Sequence, residues 1–152
     1  VSQTYYEAIL LIERLHRHFL EVVKLDLDER GVQDINNVQA LVLYNLGHDE
    51  MTVGELTARG YYLGSNVSYN VKSMVEAGYL EQARSPHDRR SVRVKLSEKG
   101  LALHTQLVAF FEKQRHMLPE ARLGEEELGA MLAAMHKLEK MWTSIINYGR
   151  GV

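Results

Sequence analysis

Ser65-Asn66-Val67-Ser68-Tyr69-Asn70-Val71-Lys72-Ser73-Met74-Val75-Glu76-Ala77-Gly78 is the stretch on which the reading of the fold turns. Val67, Val71, Met74 and Val75 fall at i, i+4, i+7 and i+8, which is one stripe of a helix. Asn66, Ser68, Tyr69, Asn70, Lys72 and Ser73 fall on the other sides, polar but, apart from Lys72, uncharged. A solvated helix face usually carries Glu and Lys pairs. This one carries amides and hydroxyls, the groups that bond base edges. The plainer alternative is a solvated face with no partner. Gly78 ends the helix as a C′ glycine.

Downstream, residues 79–84 read as a strand and Ser85-Pro86-His87-Asp88 as a turn. Ser91-Val92-Arg93-Val94-Lys95-Leu96 then alternates strictly, with Val92, Val94 and Leu96 on one side and Ser91, Arg93 and Lys95 on the other. This predicts a hairpin with a basic outer face and Arg89 and Arg90 near its tip. Upstream, Thr52 and Glu55 have the capping-box spacing and open a short helix whose buried side is Val53 and Leu56. Asn36 and Gln39 repeat the spacing before another helix, with Val38, Leu41, Val42 and Leu46 as its apolar face. The link Gly60-Tyr61-Tyr62-Leu63-Gly64 carries two tyrosines that line a pocket, touch phosphates or pack the loop on the core.

Long amphipathic helices flank this centre. The first carries Tyr5, Ile9, Ile12, His16, Phe19 and Val23 at three- and four-residue steps and breaks at Gly31. Ser97 is the N-cap of another, with Leu103, Leu107, Phe110 and Phe111, which ends near Pro119. The last begins at Gly124-Glu125-Glu126-Glu127, where three acids suit the positive end of the helix dipole.

The predicted class is mainly α with a small β-hairpin wing (α+β): a winged helix-turn-helix with long N- and C-terminal dimerisation helices. Residues 35–100 form the winged helix-turn-helix lobe, and 1–30 with 101–152 form a helical dimerisation region of the same compact chain. A helix fits the major groove, and wing arginines reach phosphates or a narrow minor groove. The 18 Lys and Arg against 20 acids leave a net charge of −2 over 152 residues, so no bulk basic character advertises nucleic acid. The distribution does: residues 51–100 hold eight cations and five acids, a local surplus of three. A winged helix needs neither long flanking helix. Their apolar stripes therefore predict a homodimer; the alternative is that they fold back on their own chain. Dimers of this kind match half-sites of an inverted repeat about 34–36 Å apart.

Asp88-Arg89-Arg90-Ser91-Val92-Arg93-Val94-Lys95-Leu96-Ser97-Glu98-Lys99-Gly100 resembles the wing motif of the MarR family of bacterial transcriptional regulators. The stretch from Glu55-Leu56 through Val67-Ser68 to Gly78-Tyr79-Leu80 is similar to that family's helix-turn-helix. The resemblance covers nearly the whole chain. It implies a regulator, most often a repressor, in which Asp88 orients the wing, Arg90 reaches the minor groove, and the end helices dimerise. It also implies a small aromatic (phenolic) or anionic effector between the dimer region and the DNA-binding lobe, with His16, Phe19 and Tyr44 as candidates to hold it. Tyr69 departs from the family, standing where many members have a basic residue. With no arginine between residues 65 and 73, the commonest guanine contact is missing there, whereas Asn66 and Asn70 can bond adenine through both amide atoms. The expected DNA-binding set is Ser65, Asn66, Ser68, Tyr69, Asn70, Lys72, Ser73, Arg84, Asp88, Arg89, Arg90 and Arg93, with Lys95 adding phosphate attraction.

Composition and motifs bound the rest. Apolar residues at 45% and charged residues at 25% are ordinary for a globular chain. The chain has no cysteine, which excludes disulfides, thiolate metal sites and thiol redox switching. No stretch approaches the length of a membrane span and no signal peptide is read at the N-terminus, so the expected location is cytoplasmic and no membrane partner is expected. The seven histidines show no metal-binding spacing, although ligands from distant helices stay open. No nucleophile elbow, phosphate loop or zinc-protease helix occurs, so no catalytic residue, metal or cofactor is expected. The partners expected are double-stranded DNA, a second copy and the effector. The reading from another class is a protein-interaction module that uses the winged-helix fold without DNA.

Overall fold

The computed structural model of the chain describes residues 3–59, 66–84 and 92–149. The order is α1 (Gln3–Glu29), α2 (Asn37–Leu46), β1 (Met51–Thr52), α3 (Val53–Ala58), α4 (Asn66–Glu76), β2 (Leu80–Arg84), β3 (Val92–Leu96), α5 (Glu98–Arg115) and α6 (Glu125–Tyr148). The fold is mainly helical with a small antiparallel sheet, as the sequence predicts. The sheet is more than a hairpin: its order is β1-β3-β2, with Met51 opposite Val94 and Thr52 opposite Arg93. A two-residue strand is too short to alternate, so its sequence carries no signal of its own.

The caps follow the expected chemistry. Asn36 and Gln39 form a complete capping box. At α3 only half of one forms: the Thr52 side chain accepts the Glu55 N–H at 3.1 Å. Gly78 takes φ +86°, and the N–H groups of Gly78 and Tyr79 return to the carbonyls of Val75 and Met74. That is a Schellman ending, which needs the left-handed conformation glycine adopts freely. Helix α5 ends at Arg115, near Pro119 as expected, and the turn after it tightens, with the N–H groups of Met117 and Leu118 bonded to the carbonyls of Gln114 and Arg115.

Chain contacts divide into two units, residues 1–110 and 111–152. The first holds the core, with Val23, Leu43, Leu46, Met51, Leu56, Met74, Val94 and Leu107 fully buried. The expected face of α2 is corrected. Ala40 and Leu43 are buried with Val42 and Leu46, while Leu41 is only half-buried. The stripe of α1 buries little: Val23, Asp26 and Leu27 are inside, whereas Tyr5, Leu15 and Phe19 are exposed. Asp26 holds Arg30 Nε at 2.8 Å, and Arg30 Nη2 reaches the Gln106 carbonyl of α5. In the second unit no residue of α6 is buried, and Met131, Leu132, Met135, Ile145 and Ile146 are exposed. Among the described residues, no helix is long and apolar enough to cross a membrane.

One contact joins the centre. Ser97 caps α5, its Oγ accepting the Gly100 N–H at 3.1 Å while donating to the Gly78 carbonyl. The Ser97 N–H bonds the Tyr79 carbonyl at 3.0 Å. Gly100 is buried against the same carbonyl, and a Cβ there would stand 2.2 Å from that oxygen. The obstacle is backbone, which cannot swing aside as a side chain can. Gly100→Ala is expected to lower stability by about 3 kcal/mol, the scale of forced overpacking, read as a fall in the urea midpoint.

Candidate nucleic-acid interface

Helix α4 turns Val67, Val71 and Met74 into the core. Asn66, Ser68, Tyr69 and Lys72 stay exposed, with Tyr69 70% accessible, and Asn70 and Ser73 are half-buried. At 100° per residue the exposed arc centres on Tyr69, and Asn70 lies at its margin. The amide of Asn70 is engaged on both sides. Its Oδ1 accepts Gln39 Nε2 at 2.9 Å, and its Nδ2 donates to the Asn66 carbonyl at 2.9 Å. Ser65, Asp88, Arg89 and Arg90 lie outside the described residues, as do Tyr61, Tyr62 and His87.

On the sheet, Arg84 is exposed at the end of β2, opposite Val92. Arg93 is half-buried and donates through Nη2 to the Glu50 carbonyl at 3.2 Å. Lys95 faces Glu81 across the strands, Nζ to Oε2 at 4.0 Å. The outer face of β3 is thus less free than alternation suggests. A cavity of about 320 Å³ lined by Asp49, Glu81, Lys95 and Glu98 makes its surroundings acidic.

A cluster missed in the sequence holds the far end of α4. Lys99 Nζ donates to the Ala77 carbonyl at 2.8 Å and to Asp34 Oδ2 at 2.7 Å, 4.3 Å from the centroid of the Tyr79 ring. The Tyr79 hydroxyl donates to Asp34 Oδ1 at 2.7 Å. Burial works against the charged Asp34 carboxylate. The bonds from Lys99 and Tyr79, with the Lys99 charge, outweigh it and hold its pKa below the usual value. Burial, then the bond and charge of Asp34, push the Tyr79 phenol above its usual value. Lys99 was legible only as part of the wing motif; its partner Asp34, in the loop before α2, has no local signal.

Of the effector candidates, His16 and Phe19 are exposed on α1, and Tyr44 is half-buried on α2, stacked on His104 with centroids 5.6 Å apart. A cavity of about 300 Å³ lies instead beside Lys24, Leu27, Ile35 and Asn37, and none of the three candidates lines it or the acidic one. Among the described residues, no group of three or more His, Asp or Glu could hold a metal ion.

The sequence profile of the MarR family matches residues 33–91. The chain is 36% identical over 146 residues to the exopolysaccharide II synthesis transcriptional activator ExpG of Rhizobium meliloti (strain 1021), covering 96% of this chain and 75% of that protein. Its structure is similar to that of Streptococcus pneumoniae FabT in complex with DNA, with a TM-score of 0.76 and 19% identity over 93% of this chain and 99% of that one. It is also similar to a mutant MarR from E. coli complexed with operator DNA, with a TM-score of 0.71 and 22% identity over 90% and 99% of the two chains.

The Tyr44–His104 stack carries a pH dependence. Burial, then the nearby His48, hold the His104 pKa below its ordinary 6.5, against a bond to the Tyr44 carbonyl that raises it. A folded value below the unfolded one makes the neutral ring's contribution complete above about pH 6.5, and it is lost as pH falls below that. Thermal melts from about pH 7 to about pH 5 are expected to decline less steeply in His104→Phe than in the native chain.

Proposed function

Since the chain belongs to the MarR family of winged helix-turn-helix transcriptional regulators, we propose that it binds an inverted repeat in double-stranded DNA as a homodimer and regulates transcription there, under the control of a small aromatic or anionic ligand. The observation that carries DNA binding is the outward face of α4, where Asn66, Ser68, Tyr69 and Lys72 stand exposed on a helix whose other side is core. These groups, with Ser73, face the major groove, and Ser65, outside the described residues, is expected to contact DNA with them. Tyr69 offers its ring to thymine methyls and its hydroxyl to a phosphate or base edge. Arg89 and Arg90 are expected to supply minor-groove or backbone contacts from the wing, and Asp88 to orient it. Arg84 adds backbone attraction, while Arg93 and Lys95, held by Glu50 and Glu81, serve the wing's own structure first.

Dimerisation is supported by α6, which buries none of its residues and exposes a run of methionine, leucine and isoleucine, and by the exposed Tyr5, Leu15 and Phe19 of α1. Apolar surface on this scale marks an interaction site. His16, Phe19 and Tyr44 remain the ligand candidates, and the work is done in the cytoplasm, where the DNA is. The reading taken is repression by occupying the operator. Activation is the second reading, favoured by the name of the 36% identical relative.

Selection from random duplexes at near-physiological salt tests the proposal. An enriched inverted repeat is expected. Arg90→Ala is expected to lower affinity for it by about tenfold or more while the dimer survives, and native affinity is expected to fall steeply with salt. A folded dimer that enriches nothing and tolerates Arg90→Ala in a pull-down would point to the protein-interaction reading. Ile146→Glu, at a position 81% exposed, is expected to leave a folded chain that sediments as a monomer at concentrations where the native protein is dimeric. A reporter fused to the selected operator gives the sign of regulation.

A further inference from the structure

A polar relay crosses the helical lobe. Asn37 at the start of α2 donates through Nδ2 to the Leu20 carbonyl of α1 at 3.0 Å. Its neighbour Asn36 is locked to Gln39 by the capping box: Asn36 Oδ1 accepts the Gln39 N–H at 2.8 Å, and Gln39 Oε1 accepts the Asn36 N–H at 3.1 Å. The remaining half of the Gln39 amide, Nε2, donates to Asn70, and Asn70 donates to the Asn66 carbonyl in the first turn of α4. The relay therefore runs from the Leu20 carbonyl of α1 to the helix that faces DNA through side-chain bonds and, between Asn37 and Asn36, one peptide bond.

We propose that Asn70 is a positioning residue that clamps α4 to α2 in one seating, leaving base reading to Asn66, Ser68 and Tyr69. The inference rests on the DNA-binding reading above and deepens it. An asparagine that reads adenine must present its oxygen and its nitrogen to the base together. In this chain both are already bonded within the protein. Freeing them strands the Gln39 Nε2 group, on a side chain only 4% exposed, without an acceptor. A buried donor left unmade costs more than a typical hydrogen bond contributes. The carbonyl at Asn66 is held by the same amide, so the clamp acts at the end of the helix that enters the groove first.

The test compares the native chain, Asn70→Ala, Gln39→Glu and the double variant on the selected operator and its single-base changes. Gln39→Glu keeps an acceptor for the Asn36 cap but removes the donor to Asn70. The expected result is a loss of about three- to tenfold for each variant, by the same factor on every duplex, and no further loss in the double variant. A loss in Asn70→Ala that disappears on duplexes lacking one particular adenine overturns the proposal, as does unchanged affinity in both single variants. Circular dichroism checks that each variant is folded. A readout without DNA is the Gln39 side-chain amide in the proton–nitrogen spectrum, since its Nε2 is the donor to Asn70. It is expected to be protected from exchange in the native chain and unprotected in Asn70→Ala. If the native chain selects no duplex, the DNA reading fails and the amide still decides the clamp: protection supports it, and an unprotected native amide overturns it.

Discussion

The arrangement depends on how closely the first turn of α5 approaches the start of β2. Gly100 and the Tyr79 carbonyl leave no space for a side-chain carbon between them. Around that approach, the end of α4, the start of β2 and the start of α5 are drawn to one point by Ser97, whose hydroxyl serves the Gly78 carbonyl and the Gly100 N–H at once. Lys99, next to Gly100 in sequence, covers the Ala77 carbonyl and reaches Asp34. The axis of α4 is thereby fixed at its C-terminal end by backbone geometry, and at its N-terminal end by the amides of Gln39 and Asn70. A helix held at both ends presents its outward side chains in a fixed register, which is what base recognition demands of a scaffold.

What was legible in the sequence follows from how local each signal is. The stripe of Val67, Val71, Met74 and Val75, of which Val75 is half-buried, the glycine at 78, the Asn36–Gln39 box and the alternation of Val92, Val94 and Leu96 each need only a few neighbouring residues, and each appears in the structure. The β1 strand was not legible, because Met51 and Thr52 become a strand only by lying beside Val94 and Arg93. The candidate site divides in the same way. The outward placement of Tyr69 and Lys72 follows from helical periodicity. The engagement of Asn70 does not, since its partner Gln39 is 31 positions away and read locally as a cap residue with its duty complete. Arg93 and Lys95 show the limit of reading charge from alternation, because Arg93 is hydrogen-bonded to the Glu50 carbonyl and Lys95 lies opposite the compensating charge of Glu81, 4.0 Å away.

Polar groups therefore do two kinds of work in this lobe. Asp34 and Lys99, both exposed, close over the buried Tyr79, and the three satisfy one another's bonds, the condition under which polar groups specify a geometry instead of weakening it. Asn66, Ser68 and Tyr69 are left to solvent. The boundary between the two sets runs along α4 itself, with Asn70 on the inner side of it.

The order of the sheet has a further bearing on how this protein lives at high concentration. With β3 in the middle, β1 closes one side for only two residues, and β2 forms an edge whose residues 81–84 are all exposed. An open edge is a template on which another chain can add a strand. Here the edge is short and bears Glu81 and Arg84, and charges on a brief strand discourage such addition. Molecules brought side by side are thus kept from zipping together through their sheets.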